Sequence, residues 1–279
     1  KKKINNISKS NIKEQKGYDL KTAFVLTHLG LGDNITSIGA IRYLSTCYDK
    51  VLVVCKEQYK KNIELFYSDD ETIQLYPVKN DFEISPRFGF DYSKFKEITK
   101  NMDLYISGGH CLTKKPEPYD DIPFNFYKDM NINISYFWKY FHVPTLKQSK
   151  ELYNLIQNTN KYIFIHNTAS TGNIFRIESI ENHFNFSKND ILIINPCINV
   201  YNKKDKFYTI AENFLNHPLS YYNDTIINSE KVIMTDSSFF CLTIQLPLKS
   251  NKIYIKARDN RDYSHLNNNI FDKPNIIKI

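Results

Sequence analysis

The sequence lacks long hydrophobic runs and paired cysteines. No stretch of about 18 consecutive apolar residues occurs, so we expect no transmembrane helix. The five cysteines are odd in number and include no C-x-x-C pair, which argues against a zinc site or a disulfide framework. Scattered thiols of this kind favour a reducing compartment, and we therefore expect a cytoplasmic protein.

Several short motifs of well-known enzymes are also missing. The chain has no H-E-x-x-H, no G-x-S-x-G and no P-loop pattern G-x-x-x-x-G-K-[ST]. It has no D-x-D of the kind that holds a divalent metal for a nucleotide sugar. These absences argue against the reactions that the motifs serve, and we expect neither a metal site nor a bound cofactor.

The composition is that of an ordinary globular protein. The 279 residues are 42% hydrophobic and 24% charged, enough to bury one large core or two medium ones. The net charge of +7 suits polyanions, but the lysines are spread along the chain rather than gathered in a block. This argues against nucleic acid as the main partner, and a small ligand that carries phosphate fits the charge equally well.

The first half of the chain alternates between strand and helix patterns. Such alternation predicts βαβ units and a parallel sheet. The predicted strands cover residues 22–28, 50–55, 72–76 and 102–107. The predicted helices cover residues 35–46, 57–67, 92–101 and 124–141.

The same alternation restarts after Pro144 and the polar residues 147–150. We expect an α/β fold of two Rossmann-like domains facing across a cleft, divided into residues 1–146 and 147–279. The last twenty residues are polar, and we expect them to pack back across the first domain or to lie loose. Predicted strands of this half are 162–166, 191–194, 232–235 and 252–256, and predicted helices are 206–215, 221–228 and 237–246.

A glycine-rich turn follows the first predicted strand, with the sequence Gly30-Leu31-Gly32-Asp33-Asn34. The glycines allow the backbone to approach a ligand closely. Asp33 lies at or near the N-terminus of the next helix, where it serves either as a cap or as a functional carboxylate. The spacing differs from the dinucleotide fingerprint G-x-G-x-x-G.

A second glycine turn, Ser107-Gly108-Gly109-His110, ends the strand predicted at 102–107. A double glycine there predicts a tight turn whose N–H groups point into the cleft. His110 is positioned to act on an acceptor hydroxyl or on a phosphate, although a loop histidine is often simply solvated.

Polar residues also follow the strands of the second half. The loop after residues 162–166 carries hydroxyl, amide and small groups, with an arginine shortly after it. Such a loop can cradle a pyrophosphate, with the arginine neutralising charge, or it is a plain polar loop. The residues that we assign to ligand binding here are His166, Asn167, Thr168, Ser170 and Arg176, together with Asn195 after the next strand.

Asp236-Ser237-Ser238 precedes the apolar residues 239–246 of the last predicted helix. Two serines at a helix N-terminus supply hydroxyls, N–H donors and the positive end of the helix dipole, which together favour an anion. The alternative is that Asp236 or a serine simply caps the helix.

The two motifs at Gly30–Asn34 and Asp236–Ser238 resemble those of the heptosyltransferase-like glycosyltransferases, the family 9-like enzymes with the GT-B fold. In these enzymes the first strand ends in a Leu-Gly-Asp turn. The second domain carries a strand, then Asp-Ser or Asp-Ser-Ser, then a helix. In this chain a phenylalanine and a cysteine stand where a histidine of the family usually follows, and Asn195-Pro196-Cys197 replaces a glycine-rich turn.

The resemblance implies that the chain transfers a sugar from a nucleotide diphosphate donor to a hydroxyl of a glycan or glycoconjugate. Asp33 would be the base, with His110 the next candidate. Gly108 and Gly109 would bind the acceptor in the first domain. The donor would be bound by Gly30, Gly32, Asn34, His166, Asn167, Thr168, Ser170, Arg176, Asn195, Asp236, Ser237 and Ser238.

Three alternatives stay open at this point. Polysaccharide pyruvyltransferases have a similar architecture and a similar glycine turn, but usually show Arg-x-His near the position of Asp236-Ser237-Ser238. The chain could also be a GT-B protein that binds a nucleotide or glycan without turning it over. The third alternative is an α/β protein that binds RNA through its positive charge.

Overall fold

The computed structural model describes residues 20–27, 30–80, 97–107, 123–159, 161–170, 172–258, 263, 266 and 274–279. Their strands form two separate parallel sheets, each built from one half of the chain. The α/β class expected from the alternation of strands and helices is therefore confirmed. The division into domains at residues 146 and 147 stays a prediction.

The first sheet has four parallel strands in the order β3-β2-β1-β4. Its central strand β1 is fully buried over Ala23–Leu26, as expected for a parallel strand that is covered on both faces. The strands are β1 (Thr22–Leu26), β2 (Lys50–Lys56), β3 (Ile73–Val78) and β4 (Asp103–Ile106).

Two of the long helices predicted in the first half are broken. The Ser37 hydroxyl donates to the carbonyl of Asp33 at 3.0 Å, and the helix predicted at 35–46 is split there. Asn131 has φ of 53°, which ends the helix predicted at 124–141 after one and a half turns. The helices are α1 (Leu31–Thr36), α2 (Ile38–Ser45), α3 (Lys60–Phe66, after a 3-10 turn at Glu57–Tyr59), α4 (Phe124–Asp129) and α5 (Tyr136–Lys139). Of the helix predicted at 92–101, residues 97–100 form a turn and 92–96 lie outside the described residues.

The second sheet has five parallel strands in the order β11-β10-β9-β5-β8, with a small antiparallel hairpin β6–β7 beside it. The expectation that the last twenty residues pack across the first domain or lie loose was wrong for residues 275–278, and of the others only 263, 266, 274 and 279 lie within the described residues. Asn275–Lys278 pairs in parallel with β10, and Ile276, which lies opposite Ile253 in the register, is buried. The strands are β5 (Tyr162–His166), β6 (Thr168–Ala169), β7 (Gly172–Asn173), β8 (Leu192–Ile194), β9 (Lys231–Met234), β10 (Lys252–Ile255) and β11 (Asn275–Lys278).

The polar stretch at 147–150 opens a helix rather than forming a linker. This helix, α6, packs on the segment 219–227 of the second half, and the Ser149 hydroxyl accepts the N–H of Asp224 at 2.9 Å. The helices of this half are α6 (Lys147–Asn154), α7 (Ile177–Phe184), α8 (Tyr208–Glu212), α9 (Asn223–Ile227, after a 3-10 turn at Leu219–Tyr222) and α10 (Ser238–Thr243).

The order of the strands determines where a ligand can bind at the edge of each sheet. In the first sheet β1 lies between β2 on one side and β4 on the other. In the second sheet β5 has the same position between β8 and β9. Crevices at the carboxyl ends of such neighbouring strands are the usual ligand sites of open α/β sheets.

Within the described part of the chain, no helix has the length and apolar character needed to cross a bilayer.

Candidate functional site

A cavity of about 570 Å³ lies between the carboxyl ends of the two sheets. Both motifs singled out in the sequence border it, although about two hundred residues separate them. Its polar lining comes from Asp33 on one side and from the segments 168–170 and 236–238 on the other. This cavity is the candidate active site.

The two halves meet closely at Gly32 in α1. A Cβ atom placed on this glycine would lie 3.2 Å from Sγ of Cys241 and 3.6 Å from Cα of Ser238. Helices α1 and α10 therefore approach each other with almost no space for a side chain at this point. Gly32 lines the cavity and also allows the two motifs to come together.

Asp33 both caps α1 and borders the cavity. Its Oδ2 atom accepts the N–H of Gly30 at 3.1 Å, which is the returning hydrogen bond of a capping box. A carboxylate has about four lone-pair sites, so this bond does not use up its capacity as an acceptor. The sequence left open whether Asp33 is a cap or a functional group, and the geometry is compatible with both roles in one residue.

Asn34, in contrast, points away from the cavity into the protein. Its side chain is 1% exposed, donates to the carbonyl of Gly30 at 2.9 Å and accepts from the Thr27 hydroxyl at 3.2 Å. These bonds tie the turn to the end of β1. The expected donor contact of Asn34 therefore has no support from its position, whereas Gly30 does line the cavity.

His166 and Ser237 join the ends of the neighbouring strands β5 and β9. Ser237 Oγ and His166 Nδ1 share a hydrogen bond of 3.0 Å, and the imidazole packs on the Phe239 ring with centroids 4.4 Å apart. Burial lowers the pKa of His166 to about 4, so the ring is neutral near pH 7. His166 therefore orients the Ser237 hydroxyl without adding positive charge to the cavity.

Asp236 is held in place by a residue that sequence reasoning missed. The carboxylate is 6% exposed, and its Oδ1 atom accepts both the backbone N–H of Arg258 at 3.2 Å and the Nε–H of the same residue at 3.0 Å. Arg258 lies just beyond β10 and lines the cavity. The available signal was its place after a predicted strand at the same edge of the sheet.

The loop after β5 is divided between two cavities. Thr168 and Ser170 line the main one. Arg176 instead borders a separate cavity of about 480 Å³, together with Asn167 and Lys188. The position of Arg176 therefore gives no support to its expected role in the main cavity.

Two buried amides hold this part of the loop. Asn167 donates to the carbonyl of Phe175 at 2.9 Å and accepts from Asn195 at 3.0 Å. Asn195 also accepts the N–H groups of Cys197 and Ile198 at 2.9 and 3.2 Å. Both side chains are thus engaged in shaping the loops, and neither borders the main cavity.

The acceptor residues expected at Gly108 and Gly109, and the histidine at His110, lie outside the described residues. Ser107, the last described residue before them, shares a hydrogen bond of 3.1 Å with the Ser37 hydroxyl. Their assigned roles stay predictions.

Aromatic residues form a large part of the cavity lining, and sequence reasoning did not identify them. They come from segments of both halves that are far apart in the chain. In a sequence that is 14% aromatic, no local pattern distinguishes a lining ring from a core ring. The aromatic lining residues are Tyr59, Phe126, Phe137, Phe239, Phe240 and Tyr263.

No group of three or more His, Cys, Asp or Glu residues able to hold a metal occurs among the residues that the structure describes. The polar groups of the described cavity lining are hydroxyls, two aspartates, one buried imidazole and one arginine. The hydroxyls and the arginine of this set can donate hydrogen bonds to an anionic or hydroxyl-bearing ligand, whereas the carboxylates can accept them from ligand hydroxyls.

No protein-family model matches the sequence, and it is not similar to any curated protein. Among solved structures, the chain resembles the glycosyl transferase family 9 protein from Veillonella parvula DSM 2008, with a TM-score of 0.53 and 10% identity. That match covers 93% of this chain and 86% of the other. The chain has a family 9-like glycosyltransferase fold.

The resemblance read from the two motifs is thereby confirmed at the level of the fold. A second structure, the iron-containing dodecameric glycosyltransferase TibC from enterotoxigenic E. coli H10407, matches with a TM-score of 0.48 and 11% identity. This match covers 85% of the chain and 58% of TibC, and it is too weak to add to the argument.

Proposed function

We propose that this protein transfers a sugar from a nucleotide diphosphate donor to a hydroxyl of a glycan or glycoconjugate. The observation that carries the proposal is the position of Asp33 across one cavity from Ser237 and Ser238, on a family 9-like fold. A base on one half and anion-binding groups on the other are what such a transfer requires.

In the proposed reaction, Asp33 accepts the proton of the acceptor hydroxyl as its oxygen forms a bond to the anomeric carbon. The bond between that carbon and the diphosphate oxygen breaks, and its electron pair leaves with the diphosphate. The hydrogen bond that its carboxylate accepts from the N–H of Gly30 holds Asp33 at the cavity wall. A fixed base of this kind contributes typically about 10² to 10⁴ in rate.

The donor binds to the second half in this proposal. The hydroxyls of Thr168, Ser170, Ser237 and Ser238 border the cavity on that side. Because His166 is neutral and hydrogen-bonded to Ser237, the serine is oriented before the donor arrives. In this proposal Nδ1 of neutral His166 carries its proton and donates to Ser237 Oγ, so the serine keeps its own proton for the diphosphate. Preorganised donors of this kind stabilise charge that develops on a leaving group.

The cavity volume agrees with a ligand of this size. A space of about 570 Å³ is within the range of about 300–1,000 Å³ usual for small-molecule sites. The mixture of aromatic walls with a few convergent polar groups is also typical of such sites. We propose that no metal or other cofactor takes part, and that the nucleotide sugar is a co-substrate.

The test begins with a thermal-shift screen against a panel of nucleotide diphosphate sugars. A ligand at a hundred times its dissociation constant should stabilise the protein by roughly 2.7 kcal/mol. Release of the nucleoside diphosphate from the stabilising donor is then measured with and without a chelator, over a panel of glycan acceptors. Binding without release would indicate a binding protein rather than an enzyme, and no stabilisation by any donor would contradict the proposal.

A further inference from the structure

The cavity contains more negative than positive charge on its described walls. Asp33 and Asp236 both line it, and Arg258 is the one cation among the described lining residues. His166 adds no charge, because burial keeps it neutral near pH 7. A nucleotide diphosphate brings further negative charge, so its binding depends on a cation that faces it.

Arg258 is held in a defined orientation. Its Nε–H donates to Oδ1 of Asp236 at 3.0 Å, and its backbone N–H donates to the same oxygen at 3.2 Å. The side chain of Asp236 is 6% exposed and that of Arg258 is 31% exposed. The pair thus has a buried anchor and a cation that reaches the cavity.

The guanidinium has capacity for another anion. It carries five N–H donors in a planar fork, and the Nε–H accounts for one of them. Within the described residues, the Nη1 and Nη2 groups of Arg258 make no hydrogen bond. A fork anchored through Nε can present its Nη edge to phosphate oxygens, a geometry that arginine provides and lysine does not.

We propose that Arg258 binds the diphosphate of the donor and that Asp236 is its positioning residue, holding the guanidinium rather than contacting the sugar. The inference rests on the proposed function. As the bond to the anomeric carbon breaks, the departing diphosphate gains negative charge. Arg258 stabilises that charge, so it contributes to transfer as well as to binding.

Arg176 provides a matched control. It was assigned the same task from sequence, but it borders the separate cavity of about 480 Å³ and not the main one. Arg176→Gln and Arg258→Gln remove the same charge from the same half of the protein. Only the second should change the affinity for a diphosphate.

The experiment measures, by calorimetry, the dissociation constants of ADP, GDP, UDP and CDP and of the matching nucleosides. For the tightest diphosphate, Arg258→Gln should weaken binding by about 10- to 100-fold, the range for loss of charged hydrogen bonds. The matching nucleoside should bind the parent and Arg258→Gln alike, and Arg176→Gln should behave as the parent. Arg258→Lys should be intermediate, because it keeps the charge and loses the fork.

The role of Asp236 is tested by a double-mutant cycle. Asp236→Asn should weaken diphosphate binding in the parent, but have no further effect on it when Arg258 is glutamine. Independent, additive effects would overturn the positioning role. In the single variant Arg258→Gln the buried carboxylate of Asp236 loses its partner, which could prevent folding. In that case the double variant with Asp236→Asn is used in its place, because the double variant removes both charges.

The outcomes separate this inference from the proposed function. If the parent binds none of the diphosphates, the proposed function is wrong and the inference is wrong with it. If the parent binds a diphosphate and the folded Arg258 variants bind it equally well, the inference alone is overturned. Equal weakening by Arg176→Gln would also overturn it, since a general charge effect would then explain the result.

Discussion

Ser237 Oγ lies 3.0 Å from Nδ1 of His166, which connects the ends of two adjacent parallel strands at the cavity. The imidazole is 5% exposed and packs on Phe239. This hydrogen bond links the orientation of a proposed donor-binding hydroxyl to the protonation state of one buried histidine.

His166 should make the protein less stable at acidic pH. Its pKa is lowered from 6.5 to about 4 in the folded state, so the unfolded state binds more protons between these values. The contribution of neutral His166 to the free energy of unfolding is therefore fully present above pH 6.5 and is lost as the pH falls toward 4. Between pH 7.5 and pH 5 the parent should lose about 2 kcal/mol more free energy of unfolding than His166→Gln.

The measurement for His166 is urea unfolding of both proteins at several pH values. Comparing the two removes the effect of other groups that titrate in the same range. Identical pH dependence in parent and variant would mean that His166 is not buried as the structure shows.

Asp33→Asn should separate the capping role from catalysis. An asparagine oxygen can still accept the N–H of Gly30, so the melting temperature should change by only a few degrees. An amide cannot take a proton at neutral pH, and transfer should slow by at least roughly a hundredfold while the donor still binds. Kinetics and calorimetry on the same preparation test this. Transfer at the parental rate would make Asp33 a cap only, with His110 the next candidate for the base.

Replacing both Ser237 and Ser238 by leucine should weaken donor binding. Both residues border the cavity at the start of α10, and larger apolar side chains there remove two hydroxyls and occupy space. The fold should persist, which circular dichroism and thermal melting would check. Ser250→Leu is a suitable control, since Ser250 does not line the cavity. An unchanged donor affinity in the folded double variant would place the donor elsewhere.

Gly32→Ala should destabilise the parent but not a Cys241→Ala background. The new Cβ would lie 3.2 Å from the cysteine sulfur, and overpacking of this kind costs about 1–3 kcal/mol. Without the sulfur, alanine inside α1 should be neutral or stabilise by up to about 1 kcal/mol, because it favours helix more than glycine does. Denaturant unfolding of the four proteins in the cycle measures the coupling. Additive effects would show that α1 and α10 do not meet here.

Gly39→Ala should destabilise the protein at a different contact. A Cβ at Gly39 would clash with the backbone oxygen of Tyr136, so α2 and α5 would have to move apart. The expected loss is about 1–3 kcal/mol of unfolding free energy in urea. Wild-type stability in this variant would contradict the packing of α5 on α2.

The sequence by itself determined the fold class and most of the strands. The strand at Tyr162–His166 was predicted with its observed bounds, and the others in the predicted set differ by a few residues at their ends. The physical reason is local: parallel strands covered on both faces are short apolar runs between polar loops. The two motifs at Gly30–Asn34 and Asp236–Ser238 were recognisable for the same reason, because each lies at the end of such a run.

Only the tertiary structure decided which of these polar residues share a cavity. Asp33 and Ser238 border it, whereas Asn34 and Asn195 point into loops that they hold together. No sequence motif identified Arg258, because its partner Asp236 is twenty-two residues away. Only the pairing of β9 with β10 brings the two residues together. Residue type and spacing indicate which chemistry a side chain can perform. The direction in which the side chain points depends on packing between segments that are distant in the chain.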